Sequence, residues 1–327
     1  MTTNQEIRTV IEKALQKNPE INSVFFVGCG ASRSDLYIGY YFLINNARKL
    51  RTSIHTANEF YYAMPVSVDE HALVITCSLG GSTPETAAAT TAAKNAGAYT
   101  IALTHTAGSA ITVDADDTVL FGWGGDSPSG KVDKLIKVLL LSAEILNQTE
   151  GYAHYDKIIF GAETILPAID KAAGFVLPDA QKFAQEYKDA PIIYVTSSGA
   201  TQEMAWSFSA CLMMEMQWIP SSSFNDGDFF HGPFELVEEG AHYLLLMNDG
   251  STRPMDARAM TFIQRFGATL TVCDAKDYGL AGAVAKEVID YFNPIIISPI
   301  ARVYAEQLAI VRNHSLSKRR YMWKLEY

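Results

Sequence analysis

Two segments within the first hundred residues constrain this chain more than anything else, because each runs from a short apolar stretch into a loop of small residues and then directly into a helix. Val24-Phe25-Phe26-Val27 leads into Gly28-Cys29-Gly30-Ala31-Ser32 and a helix reaching about Asn45. Leu73-Val74-Ile75-Thr76-Cys77-Ser78 leads into Leu79-Gly80-Gly81-Ser82 and an alanine-rich helix that stops at Gly97, and Tyr99-Thr100-Ile101-Ala102-Leu103 supplies the next strand. Apolar runs that do not alternate with polar residues belong to strands buried on both faces, and strands interleaved with helices form parallel sheets covered by helices. The second helix start is fully punctuated: Thr83 is placed to cap, Pro84 suits the first helical position, Glu85 complements the dipole and Gly97 suits the end.

The pattern returns in the second half, where Ile192-Ile193-Tyr194-Val195 runs into Thr196-Ser197-Ser198-Gly199-Ala200. Between the halves, residues 151–188 read as a polar helical connector containing Gly151, His154 and Pro167. The expected organisation is a helical leader at 1–20, a first domain at 21–150, the connector, a second domain at 189–315 and a tail at 316–327. Further strands are expected at 243–247 and 269–274, and a last helix at 300–312. The fold class is α/β, with two three-layer αβα sandwiches of mainly parallel sheet, flavodoxin- or Rossmann-like.

The 327 residues carry 26 Lys plus Arg against 36 Asp plus Glu, a net charge of -10. That sign disfavours nucleic acid and anionic membrane surfaces as partners. Cys29, Cys77, Cys211 and Cys273 are far apart, lie in or at the ends of apolar runs and form no C-x-x-C pair, so they read as buried thiols of a reducing compartment. With no apolar leader at the N-terminus and no uninterrupted apolar stretch of about 18 residues, a soluble cytoplasmic protein is expected. The seven histidines show no i,i+4 metal spacing, and no metal is expected.

Loops at 28–32 and 78–83 fall where α/β proteins bind ligands. Backbone N–H groups and a helix dipole at such a place hold an anion without Lys or Arg, and Ser32, Ser78, Ser82 and Thr83 add hydroxyls. An acidic protein can therefore still bind a phosphate. The alternative is that both loops are only tight strand-to-helix turns. Neither is a nucleotide-binding P-loop, since G-x-x-x-x-G-K-[ST] is absent and Arg33 stands where a third glycine would complete a dinucleotide fingerprint.

Glu215 is the most anomalous residue, standing in Ala205-Trp206-Ser207-Phe208-Ser209-Ala210-Cys211-Leu212-Met213-Met214-Glu215-Met216-Gln217-Trp218, a helix apolar almost all round and expected to be buried. Helical spacing puts Phe208, Cys211 and Leu212 on its face. Burial raises a carboxylate's proton affinity toward what a general base near neutral pH needs; pairing with a Lys or Arg is the structural alternative. His231 lies in the irregular segment Asp228-Phe229-Phe230-His231-Gly232-Pro233, where it is either a proton-transfer group or an ordinary loop histidine.

Together these residues carry a resemblance. The loops Cys29-Gly30-Ala31-Ser32 and Ser78-Leu79-Gly80-Gly81-Ser82-Thr83-Pro84-Glu85-Thr86 resemble those of the sugar isomerase (SIS) domains of phosphosugar enzymes. Glu215 and His231-Gly232-Pro233, at a spacing of 16, resemble the catalytic pair in the isomerase half of glucosamine-6-phosphate synthase. Met214-Glu215-Met216-Gln217-Trp218-Ile219, Phe229-Phe230-His231-Gly232-Pro233-Phe234-Glu235 and the ending Arg319-Arg320-Tyr321-Met322-Trp323-Lys324-Leu325-Glu326-Tyr327 are similar to the fructosamine-6-phosphate deglycases, a group that includes enzymes for fructoselysine, glucoselysine and fructose-asparagine phosphates.

The resemblance implies two SIS domains, a homodimer or higher homo-oligomer with a shared site, and no cofactor. It implies that Ser32, Ser78, Gly80 and Thr83 bind the sugar phosphate, Gly80 through its main chain because relatives carry a polar residue there. Ala31 likewise stands where the synthase has a hydroxyl. Glu215 would be the base, His231 the acid and ring-opening group reaching a neighbouring subunit's site, and Lys324 the counterpart of a C-terminal active-site lysine. The tail, with its positive charges, would lie over the site. The implied activity is release of glucose 6-phosphate and an amino acid from a phosphorylated fructosamine. An aldose–ketose isomerase and a non-catalytic phosphosugar sensor are the alternatives. A basic subsite would suit an aspartate adduct and an acidic one a lysine adduct.

Overall fold

The computed structural model describes residues 3–124 and 127–326. They form two compact units, Met1–Glu163 and Thr164–Tyr327.

The first unit contains α1 (Thr3–Lys17), β1 (Ser23–Gly28), α2 (Gly30–Asn46), β2 (Arg51–Thr56), α3 (Ala57–Tyr62), β3 (Ala72–Cys77), α4 (Pro84–Asn95), β4 (Tyr99–Thr104), β5 (Asp117–Leu120) and α5 (Asp133–Thr149). Its strands form one all-parallel sheet in the order β2-β1-β3-β4-β5. β1, β3 and β4 are buried along their whole length, as their apolar runs require. Alternate residues of β1 serve opposite layers. Phe25 and Val27 pack with Ala57 and Phe60 of α3 and with Ala89 and Ala93 of α4. Phe26 faces α2 and α5, where a Cβ on Gly39 would come within 2.9 Å of both the Phe26 ring and Val138, so only glycine permits this approach.

In the sheet, β1 pairs with β2 on one side and β3 on the other, and Gly28 lies opposite Cys77. The chain order therefore reverses between β1 and β3, and the two small-residue loops leave adjacent strand ends at this switch point, the usual ligand position in such sheets. The polar strands β2 and β5, which sequence reading did not anticipate, are the two sheet edges.

α6 (Tyr155–Phe175) carries the chain across the division between units and is followed by α7 (Leu177–Tyr187). The second unit continues through β6 (Ile193–Ser197), α8 (Gln202–Ser207), a π-helix (Phe208–Gln217), β7 (Ser221–Asn225), β8 (His242–Met247), α9 (Arg253–Arg265), β9 (Thr269–Asp274), α10 (Leu280–Ala283) and α11 (Asn293–Val311). Its parallel sheet has the order β7-β6-β8-β9. Tyr187 stacks on Phe183 at 4.1 Å and donates its hydroxyl to the Tyr243 carbonyl at 2.6 Å, while Tyr304 of α11 meets Phe183 edge-on.

The last helix begins at Asn293, earlier than the expected residue 300, because Pro294 suits its first turn and Ile295, Ile296 and Ile297 are buried helical side chains. The helical stretch 286–311 is long and apolar enough to cross a membrane, but most of it is buried within this unit as a core helix.

Candidate functional site

In the first unit, Ser32 is buried in the first turn of α2, where its N–H reaches the Cys29 carbonyl at 3.1 Å and its side chain meets the Cys77 thiol. That thiol is pushed up to about 11 by burial, so it is no nucleophile at neutral pH. Ser78 is buried and its hydroxyl lies 2.9 Å from that of Thr83. This contact replaces the expected cap: Thr83 precedes α4 with extended backbone, but its side chain makes no capping bond. Pro84 and Glu85 occupy the first turn, and Gly97 follows the helix at φ +98°.

Between the two hydroxyls, Gly80 is exposed with only Ser82 Oγ, at 3.8 Å, near its Cβ direction, so its backbone is open to a ligand. Gly81 is the opposite case: at φ +67° it packs so tightly that a Cβ would fall 1.9 Å from Ser109 Oγ. The arrangement offers hydroxyls and main-chain groups at a helix start, the donor set for a phosphate.

Sequence reading assigned no cation to this unit's interior, yet Lys134 of α5 is buried and paired with Asp35 of α2, over the rings of Phe121 and Trp123 at 5.5 and 5.6 Å. Asp35 and Lys134 are far apart in sequence, and no local pattern marks their pairing.

In the second unit, Glu215 lies near the end of the π-helix. Hydrogen bonds in a π-helix run from i to i+5, so the α-helical face assigned to Glu215 with Phe208 and Leu212 does not hold. The expected all-round burial also fails, since Met214 and Trp218 are 45% and 38% exposed. These side chains, with Glu215, line a pocket of ≈ 370 Å³ whose other wall includes Arg319, Arg320 and Tyr321 of the tail. Trp218 closes the π-helix at φ 58°, unusual for a bulky residue, and its N–H bonds the Met213 carbonyl. π-Helical turns and strained aromatic backbones gather at functional sites.

Arg319 Nη2 lies 2.7 Å from Glu215 Oε1, with 8% of the arginine side chain and 24% of the carboxylate side chain exposed. Arg319 also donates from Nη1 to the carbonyls of Leu316 and Lys318 at 2.8 and 2.7 Å. Desolvation raises the proton affinity of Glu215, and the Arg319 charge and hydrogen bond pull it back without cancelling the rise. A half-buried carboxylate of raised proton affinity, held by one guanidinium, can act as a base. Lys324 is exposed and donates to the Arg319 carbonyl at 2.6 Å, so it braces the turn that carries Arg319 and does not line the pocket.

His231 is exposed in the turn after β7, its N–H bonded to the Asp228 carbonyl at 2.9 Å. At the start of this turn, sequence reading overlooked Asp226, whose carboxylate oxygens are buried without hydrogen-bond partners. Burial first and the neighbouring Asp256 second push Asp226 up to about 9. Asp256 is the better hydrogen-bonded partner, receiving the Ser198 hydroxyl and, at 2.8 and 2.9 Å, the backbone and side-chain N–H groups of Asn248. All four cysteines are free thiols, three buried and Cys29 partly exposed.

Known proteins share this architecture. Residues 20–121 match the SIS domain family model. Fructosamine deglycase FrlB of Bacillus subtilis (strain 168) is 35% identical over 326 residues, covering 99% of this chain and 98% of its own. Fructoselysine 6-phosphate deglycase of Escherichia coli O157:H7 is 22% identical over 96% of this chain and 89% of its own. A crystal structure from Salmonella typhimurium LT2, provisionally assigned as a phosphosugar isomerase, superposes with a TM-score of 0.96 at 37% identity, covering 100% of this chain and 98% of that one. The chain belongs to the fructosamine deglycase family of SIS-domain proteins.

Proposed function

We propose that the protein is a cytoplasmic deglycase that cleaves a 6-phosphorylated fructosamine with water to glucose 6-phosphate and a free amino acid. The observation that carries this reading is Glu215: a desolvated carboxylate with raised proton affinity, in a pocket walled by the tail, in a chain whose full-length relative is named a fructosamine deglycase.

The chemistry follows from the substrate. An amine on C1 beside the C2 ketone makes the C1 protons acidic once the sugar ring opens. His231, exposed and so available to a neighbouring subunit, assists ring opening. Glu215 removes a C1 proton to give an enaminol, and reprotonation at C2 leaves an iminium at C1. Water adds there, the C–N bond breaks with the electron pair leaving on nitrogen, and the aldehyde is glucose 6-phosphate. Ser32, Ser78, Thr83 and the open backbone of Gly80 hold the phosphate. The working enzyme is a homo-oligomer, the two carboxyl-bearing and phosphate-binding regions are its two SIS domains, and no cofactor takes part.

The test is a coupled assay for glucose 6-phosphate over a panel of phosphorylated fructosamines, with fructose 6-phosphate offered in parallel. Glu215→Gln should keep phosphosugar affinity while turnover falls by about 10²–10⁴. Failure on every fructosamine, or conversion of fructose 6-phosphate alone, removes the deglycase assignment; undiminished turnover in Glu215→Gln removes the base.

A further inference from the structure

The pocket beside Glu215 has an unbalanced charge. Three charged side chains line it: Glu215, Arg319 and Arg320. Arg319 and Glu215 compensate one another at 2.7 Å. Arg320 is exposed, and no carboxylate among the described residues is paired with it. Among the described residues, one positive charge is therefore left uncompensated in the lining of an otherwise apolar pocket.

Arg320 is also oriented. Its guanidinium carbon sits 4.4 Å above the Trp218 ring. A guanidinium carries its N–H groups in its own plane as a fork that matches the two oxygens of a carboxylate, and the indole beneath it holds that fork in place. The platform itself is fixed: the His314 ring meets Trp218 edge-on at 4.5 Å, and Trp218 is anchored through its N–H to Met213. A flexible surface arginine would lose more rotamer freedom on gripping an anion than one already laid on a ring.

Resting on the deglycase reading, we propose that Arg320, stacked on Trp218, receives the carboxylate of the amino-acid half of the substrate, so that the enzyme selects amino-acid adducts of the phosphosugar over adducts of uncharged amines. The sugar's own phosphate is the competing anion. The hydroxyl-lined loop ends of the first unit already suit that group, and the apolar wall beside Arg320, with Met214, Ile219 and Met322, suits an amino-acid side chain.

Two substrates separate the possibilities: the 6-phosphorylated fructosamines of alanine and of ethylamine, which differ only by the carboxylate. The parent should prefer the alanine adduct by about 10- to 100-fold in kcat/KM, as expected for a charge-assisted bidentate pair. In Arg320→Met that preference should collapse toward unity through a rise in KM for the alanine adduct, and Arg320→Lys should restore part of it. Equal losses on both adducts would mean that Arg320 serves the phosphate or the fold, and an undiminished preference would mean that it touches neither; each result overturns the assignment. If the parent consumes neither adduct, the wider fructosamine panel decides the deglycase reading separately, and calorimetric binding of the two adducts to parent and Arg320→Met protein still decides whether Arg320 holds the carboxylate.

Discussion

Replacing Gly81 with alanine places a methyl group inside the wall of the second small-residue loop. The backbone there is at φ +67°, and the new Cβ would lie 1.9 Å from Ser109 Oγ, 2.5 Å from Ser109 Cβ and 2.8 Å from Thr104 Oγ1. The left-handed conformation costs an L-residue about 1–2 kcal/mol. Forcing a methyl group into a packed site costs about 1–3 kcal/mol more. The sum, roughly 2–5 kcal/mol, is a large part of an ordinary domain's stability. Gly80 is the internal control, because a Cβ there meets only Ser82 Oγ at 3.8 Å. Denaturant unfolding of Gly81→Ala, Gly80→Ala and parent protein would show a lower midpoint at constant slope for the first variant only. Ser109 Oγ is buried without a hydrogen-bond partner, so Ser109→Gly removes the two nearest colliding atoms without breaking a bond. Combined with Gly81→Ala it should recover most of the steric share, leaving the 2.8 Å approach to Thr104 Oγ1 and the backbone share of about 1–2 kcal/mol. A Gly81→Ala protein within about 0.5 kcal/mol of the parent, inside the range of ordinary surface changes, would refute the packing argument; so would a double variant no better than the single one.

Two further outcomes follow from the charged groups of the second unit. Arg319 is the influence that lowers the proton affinity of a desolvated Glu215. In Arg319→Met the carboxylate therefore takes up its proton at higher pH, and the acid limb of the kcat/KM profile should move upward; an unmoved limb would assign Arg319 to holding the tail alone. Asp226 is pushed up to about 9 in the folded protein, against about 3.9 in an unfolded chain. The native state thus binds more protons than the unfolded one across that window, and this contribution to stability is present below about pH 4 and lost as pH rises toward about 9. Asp226→Asn mimics the protonated form, so thermal midpoints should fall less steeply with pH than in the parent; parallel slopes would show that Asp226 is ionised.

What could be read from sequence depended on burial. β1, β3 and β4 are covered on both faces, so their sequences are unbroken apolar runs. β2, β5 and β7 are sheet edges, and strands such as Arg51–Thr56 and Ser221–Asn225 carry polar residues that look like loop. The same logic applies to the site. Glu215 was visible because a carboxylate is conspicuous in an apolar helix, whereas its partner Arg319 sits in a basic tail where one more arginine is ordinary. Asp226 and Lys134 gave no local signal, since each is remarkable only for what the fold wraps around it. Thr83 was placed correctly as the residue before α4, but the neighbouring Ser78 hydroxyl claimed its side chain.

The π-helix at Phe208–Gln217 stores information in a residue count. An α-helix advances about 100° per residue and bonds i to i+4, whereas this segment bonds i to i+5. Losing one residue between Phe208 and Met213 would remove one i to i+5 offset, and Glu215 would swing about 100° off the wall it shares with the tail even though no side chain at the site had been altered. Such a chain would keep its carboxylate, both arginines and Trp218, and would still lose their alignment. For this part of the molecule, insertions and deletions are thus a more severe form of change than substitutions, and spacing is as much a functional element as any named residue.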